Sequence, residues 1–370
     1  MAELADKHAL ETPFVCVDLD IAERNITRMQ AIAIRNGVAL RPHAKTHKSP
    51  AFARMQIAAG AIGVTAAKLS EAEALVSGVV DDVLIAYPLI GAAKAARAAK
   101  LAGACRLTVA IDSERSAADL SAAAAREGTN IDIVVEFDCG FGRVGVVSPD
   151  EAVRLARFVQ RLPGLTFRGL STFAGQAYDA ADEEQLRRIG HAEGRAAVDM
   201  ADRLRAAGLP VDVVSVGSTP SAPFAAEVAG VTEIRPGAYL FGDLMQVKLG
   251  AHRLEDCALT VVATVVSRPG PGRAVIDAGT KLFTSDGEDS PLGSGRASIV
   301  GRSGITLRWL TEEHGMLSFD PESESLEIGD RLELVPNHCC GVVSMTDEIV
   351  VTAGGRTVGV WPVPGRGKVT

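Results

Sequence analysis

Residues 106–136, RLTVAIDSERSAADLSAAAAREGTNIDIVVE, decide the fold of this chain. The stretch contains a β-branched run at Arg106–Ile111, an Ala-rich segment at Ser113–Glu127 and a second apolar run at Ile131–Glu136. Short apolar runs bounded by turn residues predict strands, and the Ala-rich segment between them predicts a helix. Two strands connected through a helix form a βαβ unit, in which the strands run parallel.

The same alternation continues on either side of this unit. The predicted strands are Val38–Arg41, Gly63–Ala66, Asp82–Ala86, Arg106–Ile111, Ile131–Glu136, Thr166–Ser171, Val211–Val216 and Thr232–Arg235. The predicted helices are Asp20–Asn36, Pro50–Ala58, Leu69–Ser77, Ile90–Leu101, Ser113–Glu127, Ser148–Gln160, Glu183–Ala207 and Ala222–Val228. Eight strands that alternate with helices predict an α/β fold, the (β/α)8 TIM barrel. A doubly wound sheet is the alternative, and the count of eight favours the barrel.

The sequence pattern changes after Leu249. Long helical stretches give way to strand-like runs that are separated by Gly and Pro. These runs are Ala258–Ser267, Arg273–Asp277, Arg331–Val335, Glu348–Thr352 and Thr357–Trp361. We therefore predict a barrel over residues 14–248 and a second, mostly β C-terminal domain over residues 249–370, to which residues 1–13 are added. The strand-like Pro13–Val17 is a further candidate for the β domain.

Charge and cysteine content argue against several classes of protein. The 38 Lys and Arg against 46 Asp and Glu leave a net charge of −8, which disfavours nucleic acid or an anionic membrane as a partner. No apolar run approaches the ~20 residues that span a bilayer, and Met1 to Thr12 has no secretory-signal pattern. The six cysteines lack the spacing of a disulfide framework, so we expect a cytoplasmic protein with free thiols.

The loops that follow the barrel strands carry the candidate chemistry, because active sites of such barrels lie at the C-terminal ends of the strands. The first loop places two His and two Lys within His43–Lys48, just past an apolar strand. A solvated basic loop is the alternative, but Pro42 and the strand favour a fixed, partly buried loop. A Lys at such a position is a candidate Schiff-base nucleophile, because desolvation lowers the pKa of an amine.

The loops after the seventh and eighth strands have the composition of a phosphate cradle. Gly217-Ser218-Thr219 offers backbone N–H groups and two hydroxyls. Gly237 allows close approach of the backbone, and Tyr239 adds a donor. Glycines that serve only tight turns are the alternative. A Lys and a phosphate cradle in one barrel together predict pyridoxal 5'-phosphate as the cofactor.

Four motifs resemble those of fold-type III pyridoxal phosphate enzymes. They are Arg41-Pro42-His43-Ala44-Lys45-Thr46-His47-Lys48, the segment from Glu136 to Gly145, Gly217-Ser218-Thr219-Pro220 and Arg235-Pro236-Gly237-Ala238-Tyr239. More narrowly, the chain resembles the family of D-threonine aldolase and eukaryotic-type D-serine dehydratase, from about Thr12 to Gly367. The resemblance implies an alanine-racemase-like barrel, a β domain and a homodimer.

The resemblance also assigns roles to individual residues. It implies that Lys45 carries the cofactor as a Schiff base and acts in catalysis, and that His43 and Arg41 line the site. Arg143 is expected near the phenolic oxygen of the cofactor. The residues expected to hold the phosphate are Gly217, Ser218, Thr219, Gly237 and Tyr239.

A candidate metal pair lies in the predicted β domain, in Val335-Pro336-Asn337-His338-Cys339-Cys340-Gly341. On a strand, His338 and Cys340 point to the same face and could bind one ion, with Cys339 facing away. Imidazole and thiolate ligands suit zinc best, and a buried His beside two packing thiols is the alternative. The resemblance implies a divalent metal at a His-x-Cys or His-x-Asp pair, with manganese or magnesium as alternatives to zinc.

In this family the Cys form of the pair goes with dehydratases. We therefore expect dehydration of a small D-configured β-hydroxy-α-amino acid, such as D-serine, D-threonine or 3-hydroxyaspartate, to a 2-oxo acid and ammonia. Retro-aldol cleavage to glycine and an aldehyde is one alternative, and an amino-acid racemase with Tyr178 or Tyr87 as second base is another. Phe173 and Gln176 stand where the relatives often carry Tyr and His, and neither residue transfers a proton at neutral pH.

Overall fold

The computed structural model describes residues 7–77, 80–284, 289–290 and 293–370. Contacts divide the chain into two units. The barrel unit holds Thr27–Lys45, Ser49–Gly237 and Lys368–Thr370, and the β unit holds Met1–Ile26 (described from residue 7), Thr46–Lys48 and Ala238–Gly367.

The division after Gly237 precedes the boundary that the sequence predicts at residues 248–249. Residues 238–248 lie between the two boundaries. This segment hydrogen-bonds within the β unit, since the N–H of Met245 donates to the carbonyl of Asn337 at 3.2 Å. Its backbone partners therefore assign it to the β unit, although no strand-like run marks it in the sequence.

Strand β1 (Phe14–Asp18) and helix α1 (Leu19–Asn36) come first in the chain, and the parallel barrel strands follow. The barrel strands are β2 (Ala39–Leu40), β3 (Val64–Ala66), β4 (Asp82–Ile85), β5 (Arg106–Ile111), β6 (Ile131–Glu136), β7 (Leu165–Ser171), β8 (Val213–Val216) and β9 (Glu233–Ile234). Neighbours in sequence pair from β3 to β9, and β9 pairs with β2. A parallel bridge between His43 and Thr65 then closes the sheet. The predicted (β/α)8 barrel and its eight strands are confirmed.

The helices between the barrel strands begin and end at the signals in the sequence. They are α2 (Pro50–Ala58), α3 (Leu69–Val76), α4 (Ala92–Ala102), α5 (Glu114–Glu127), α6 (Pro149–Gln160), α7 (Glu183–Ala206) and α8 (Ala222–Ala225). Ser148 starts α6 with a reciprocal capping box to Glu151, and Pro149 occupies the first turn, where its missing N–H costs nothing. Gly128 ends α5 in the left-handed region at φ 67°, which favours glycine. Short 3₁₀ helices lie at Lys7–Ala9, Ala44–Thr46, Gly175–Asp179, Ala238–Leu240 and Leu254–Asp256.

Within its described residues, the β unit is built on one mostly antiparallel sheet of nine strands. Its elements after α9 (Leu244–Lys248) are β10 (Leu259–Gly270), β11 (Arg273–Ile276), β12 (Asp289–Ser290), β13 (Gly293–Ser294), β14 (Ala297–Ile299), β15 (Ile305–Leu310), β16 (Gly315–Phe319), β17 (Arg331–Pro336), α10 (Cys339–Ser344), β18 (Glu348–Ala353) and β19 (Arg356–Pro362). The strand order is β11-β16-β15-β14-β17-β10-β1-β18-β19, and β12 and β13 form a separate pair. Strand β1 pairs with β10 and β18, which confirms that the stretch Pro13–Val17 belongs to this sheet.

Two features of the β unit differ from the sequence predictions. Strands β12 to β16 and helix α9 were not predicted. Strands β12 to β14 have two or three residues each and α9 has five, whereas Arg308 and Ser318 interrupt the apolar runs of β15 and β16. The strand geometry predicted for His338 and Cys340 is wrong, because β17 ends at Pro336 and His338 is the N-cap of α10. The N–H of Cys339 donates to a carboxylate oxygen of Asp243 at 3.0 Å, so the chain leaves the sheet here.

No helix within the described residues is long and apolar enough to cross a membrane.

Candidate active site

Lys45 lies in the 3₁₀ helix that directly follows β2, at the C-terminal end of the barrel. Its backbone N–H donates to Nδ1 of His43 at 3.4 Å, and its Nζ lies 6.0 Å from the ring centroid of Phe173. The side chain is half-buried. The predicted nucleophile therefore lies on a partly buried loop.

His43 is surrounded by positive charge. Burial lowers the pKa of its imidazole well below the ordinary value of 6.5, and the charges of Lys45 and Arg235 lower it further. The imidazole is therefore neutral at neutral pH, which leaves Nδ1 able to accept the Lys45 N–H.

Arg143 lies in the glycine-containing loop after β6, which Asp138 shapes. One carboxylate oxygen of Asp138 accepts the N–H groups of Gly140, Phe141 and Gly142 at 2.8 to 3.0 Å, and these bonds lower the pKa of that carboxyl. The loop presents the Arg143 guanidinium 4.5 Å from the centroid of the Phe173 ring. The cations of Lys45 and Arg143 thus both lie within about 6 Å of the Phe173 ring, and Arg143 is the nearer of the two.

The predicted phosphate loops come together after β8 and β9. Gly217 adopts φ 95°, a conformation that side chains rarely allow, and turns the chain toward Ser218 and Thr219. The N–H of Gly237 donates to the Thr219 hydroxyl at 3.2 Å. Ser218 and Thr219 are buried. Tyr239 belongs to the β unit, where it is buried and its carbonyl bonds to His252.

Several buried charges in the barrel were not assigned from the sequence. Arg235 donates to the hydroxyl of Ser215 at 2.5 Å and to the carbonyl of Thr172 at 2.7 Å. Glu136 accepts a hydrogen bond from Ser171, and burial raises the pKa of this carboxyl. Glu136 is the last residue of β6 and Arg235 directly follows β9, so their position at the end of an apolar run was the signal that could have identified them.

Arg41 also lies inside the barrel, but two carboxylates take up its charge. Its guanidinium bonds to Asp82 at 2.5 Å and to Glu233 at 2.8 Å. These ion pairs bind β2 to β4 and β9, and give Arg41 a structural function in the closed sheet.

Glu193 of α7 is a second buried carboxylate beside the phosphate loop. It accepts the N–H of Gly217 at 2.9 Å, and burial raises its pKa. The Gly217 N–H that was expected to face the phosphate therefore faces Glu193. Nothing in the helical pattern of α7 distinguishes Glu193 from the exposed acids of the same helix.

The His338–Cys340 pair lies at the start of α10 in the β unit, with both side chains half-buried. The thiol of Cys340 lies 3.4 Å from the hydroxyl of Thr46, which is the residue after Lys45 in the chain. Among the described residues, no group of three or more His, Cys, Asp and Glu side chains is placed to hold a metal ion. The pair can thus supply at most two protein ligands of the kind expected.

Phe173 and Gln176 replace expected acid–base residues, and Tyr178 and Tyr87 are the candidate second bases of a racemase. The Phe173 ring meets Phe141 edge-on at 5.8 Å and lies 6.4 Å from the ring of Tyr178. Oε1 of Gln176 is buried and accepts no hydrogen bond from the described residues. The ring of Tyr87 is 40% exposed, with the Lys68 ammonium 3.5 Å from its centroid.

Comparison with known proteins agrees with this fold. The family model described as alanine racemase, N-terminal domain, matches residues 17–245, and the model described as putative serine dehydratase domain matches residues 258–352. The chain therefore belongs to the alanine racemase-like, fold-type III pyridoxal phosphate enzymes.

Its relatives narrow the class further. D-threonine aldolase of Arthrobacter sp is 34% identical over 97% of this chain and 93% of its own length. The crystal structure of D-threonine aldolase from Filomicrobium marinum superposes with a TM-score of 0.93 at 33% identity and covers 100% of both chains. These relatives are lyases, and the chain is a lyase of this class.

A third relative is D-threo-3-hydroxyaspartate dehydratase of Delftia sp. HT23. It is 35% identical over 95% of this chain and 97% of its own length, and its solved structure has a TM-score of 0.89. Two further solved structures are described as D-threo-3-hydroxyaspartate dehydratase mutants: one has alanine in place of a histidine, and the other, in the metal-free form, has alanine in place of a cysteine two positions later.

The barrel residues fit pyridoxal phosphate. Lys45 would supply the amine, and Lys45, Arg143 and Arg235 place positive charge around His43, which suits an anionic phosphate. The buried hydroxyls of Ser218 and Thr219 lie where Gly217 leaves no side chain in the way.

Proposed function

We propose that this protein is a lyase that uses pyridoxal phosphate and a divalent metal to dehydrate D-configured β-hydroxy-α-amino acids to a 2-oxo acid and ammonia. The observation that carries the proposal is the His338–Cys340 pair, whose Cys340 thiol contacts Thr46, the chain neighbour of Lys45. In a lyase of this class, a metal at such a pair would supply a Lewis acid for the β-hydroxyl of the substrate.

Lys45 would hold the cofactor through its amine, and Ser218, Thr219 and Gly237 would hold the phosphate. When bound, the cofactor withdraws electrons from the α-carbon of the substrate. Lys45 would take the α-proton of the substrate. Neutral His43 holds the Lys45 loop, and Arg143 would supply positive charge to the bound cofactor.

His338 and Cys340 would hold the metal, with water and substrate completing its coordination. An imidazole and a thiolate suit zinc better than manganese or magnesium, which prefer oxygen ligands. The metal supplies a Lewis acid for departure of the β-hydroxyl. A solved D-threo-3-hydroxyaspartate dehydratase whose cysteine, two positions after a histidine mutated in another structure, is replaced by alanine is described as metal-free, which supports this assignment.

The decisive test incubates the metal-loaded enzyme with D-serine, D-threonine and D-threo-3-hydroxyaspartate and measures ammonia and glycine separately. Dehydration yields ammonia and a 2-oxo acid without glycine. Glycine without ammonia would contradict the proposal. Lys45→Ala should abolish the visible absorbance of the lysine Schiff base, and Lys68→Ala, which changes a cation over the exposed Tyr87 ring, is the control.

Aldol cleavage to glycine and an aldehyde is the second candidate. It is favoured by the superposition on D-threonine aldolase over the full length of both chains. The same assay separates the two reactions, because only the aldolase produces glycine.

We further propose a cytoplasmic homodimer with neither nucleic acid nor membrane as partner. The family resemblance supports the dimer, and the net charge of −8 supports the absence of a nucleic-acid partner. Light scattering on the purified holoenzyme tests the dimer, and a monomeric mass would contradict it.

A further inference from the structure

Glu193, in the middle of α7, is a buried acid without a role in the proposed reaction. Only 2% of the surface of Glu193 is exposed. Oε1 accepts the N–H groups of Ala174 at 3.1 Å and of Gly217 at 2.9 Å, and Oε2 accepts the hydroxyl of Ser221 at 2.8 Å. Both carboxylate oxygens are thus engaged by hydrogen-bond donors, as a buried carboxylate requires.

The three donors come from two neighbouring loops of the barrel. Ala174 follows β7 and is adjacent to Phe173, whereas Gly217 and Ser221 follow β8. Ser221 extends the link, since its hydroxyl accepts the N–H of Ser218 at 3.1 Å and lies 3.0 Å from the Ser218 hydroxyl. One carboxylate therefore connects the Phe173 loop with the loop expected to hold the phosphate.

Two glycines of α7 allow this contact. A Cβ at Gly190 would lie 2.7 Å from the Cβ of Phe224 and 2.9 Å from the carbonyl oxygen of Ser221. A Cβ at Gly194 would lie 2.7 Å from a methyl of Val228. Since these glycines flank Glu193 on the helix, α7 approaches α8 closely enough for the carboxylate to reach Ser221.

We propose that Glu193 is a positioning residue for the cofactor phosphate, which it serves by fixing the Gly217–Ser218 backbone and the Ser218 hydroxyl. The inference rests on the proposed cofactor site. Glu193 accepts the Gly217 N–H, and Ser221, whose hydroxyl donates to Glu193, holds the N–H and the hydroxyl of Ser218. Together these bonds fix the conformation of the loop that leads to Thr219. It acts through these residues and does not touch the substrate.

Two substitutions separate hydrogen bonding from charge. In Glu193→Gln, Oε1 can still accept both N–H groups and the amide can donate to the Ser221 hydroxyl, so we expect the dissociation constant of pyridoxal phosphate within about 3-fold of wild type. In Glu193→Leu the three donors lose their acceptor, and we expect binding weaker by about 10- to 100-fold. Ser221→Ala, which removes one link only, should give an intermediate loss and serves if the Leu variant does not fold.

The control substitution is Glu71→Leu. Glu71 is a fully buried acid of α3 that accepts the N–H of Ala67 at 2.6 Å, after a barrel strand away from the phosphate loops. Binding of pyridoxal, which lacks the phosphate, provides the second control. We expect Glu193→Leu to weaken pyridoxal phosphate but not pyridoxal, and Glu71→Leu to leave the dissociation constants of both unchanged.

The inference is overturned if Glu193→Leu binds pyridoxal phosphate as wild type does, if pyridoxal is weakened equally, or if Glu71→Leu shows the same loss. A failure of the proposed cofactor site is distinct from these results, because the wild type would then show no Schiff-base absorbance dependent on Lys45.

Discussion

Nδ1 of His43 accepts the backbone N–H of Lys45 at 3.4 Å. A protonated imidazole would present a donor at this position, so the bond requires the neutral ring. Burial and the charges of Lys45 and Arg235 favour that state. The conformation of the loop that carries Lys45 therefore depends on the charge state of His43.

This relationship predicts a pH dependence of stability. The pKa of His43 lies well below 6.5 in the folded protein, so below pH 6.5 the unfolded chain binds more protons at this position than the folded chain. The stability that His43 contributes is complete above the unfolded pKa and is lost as pH falls through the folded pKa. The Tm of His43→Gln should therefore fall less between pH 7 and pH 5 than that of wild type. His191→Gln, at a surface pair with Glu227, is the control, and equal slopes for wild type and His43→Gln would contradict the prediction.

Asp243→Asn should weaken the loop that carries the metal pair. Asp243 caps α9 by accepting the N–H of Gln246 at 2.9 Å and also accepts the N–H of Cys339. An Asn side chain has only one oxygen acceptor. One of the two backbone N–H groups would therefore face the NH₂ group of the amide, which cannot accept it. We expect a loss of about 1–3 kcal/mol in denaturant unfolding and zinc binding weaker by roughly 10- to 100-fold in chelator competition.

Asp182→Asn is the matched control. The carboxylate of Asp182 caps α7 by accepting the N–H of Gln185 at 2.7 Å, and it accepts no second N–H from the described residues. Asn is as good an N-cap as Asp, so this variant should keep wild-type stability and zinc affinity. Zinc affinity unchanged in Asp243→Asn would refute the role of Asp243.

Cys340→Ala should remove the bound zinc. A single imidazole ligand does not retain zinc at the affinity of a His and thiolate pair, so we expect loss of metal from the dialysed protein. Ammonia release should fall by a factor of about 100 or more, since the Lewis acid is lost. Cys105→Ala, which removes a half-buried thiol from the barrel unit, is the control. Full zinc content in Cys340→Ala would disprove the assignment.

Gly217→Ala should raise the dissociation constant of pyridoxal phosphate, with only a small loss of unfolding free energy. Gly217 has φ 95°, and an added Cβ would lie 3.2 Å from the Cβ of Ala222. Gly208→Ala is the control, since Gly208 has φ 80° with open space around it. Both variants should lose about 1 kcal/mol of unfolding free energy from backbone strain. Only Gly217→Ala should raise the dissociation constant of pyridoxal phosphate, and equal dissociation constants for the two variants would argue against the phosphate loop.

Much of the barrel was predictable from local sequence. Arg106–Ile111 and Ile131–Glu136 were predicted at their observed bounds, because buried parallel strands consist of short, nearly continuous apolar runs. The strands β14 to β16 were not predicted, because their pairing depends on partners elsewhere in the chain. The same limit applies to His338 and Cys340, where a local period of two suggested a strand.

What the sequence determined by itself is the order of strands and helices and the position of Lys45 after the first of them. Apolar periodicity and turn residues act between neighbours in the chain, so they can be recognised without coordinates. Only the tertiary structure decided that Glu193 holds Gly217, that Asp243 holds Cys339 and that His43 is neutral. These properties arise from burial and from hydrogen bonds between segments that are distant in sequence, and no local pattern encodes them.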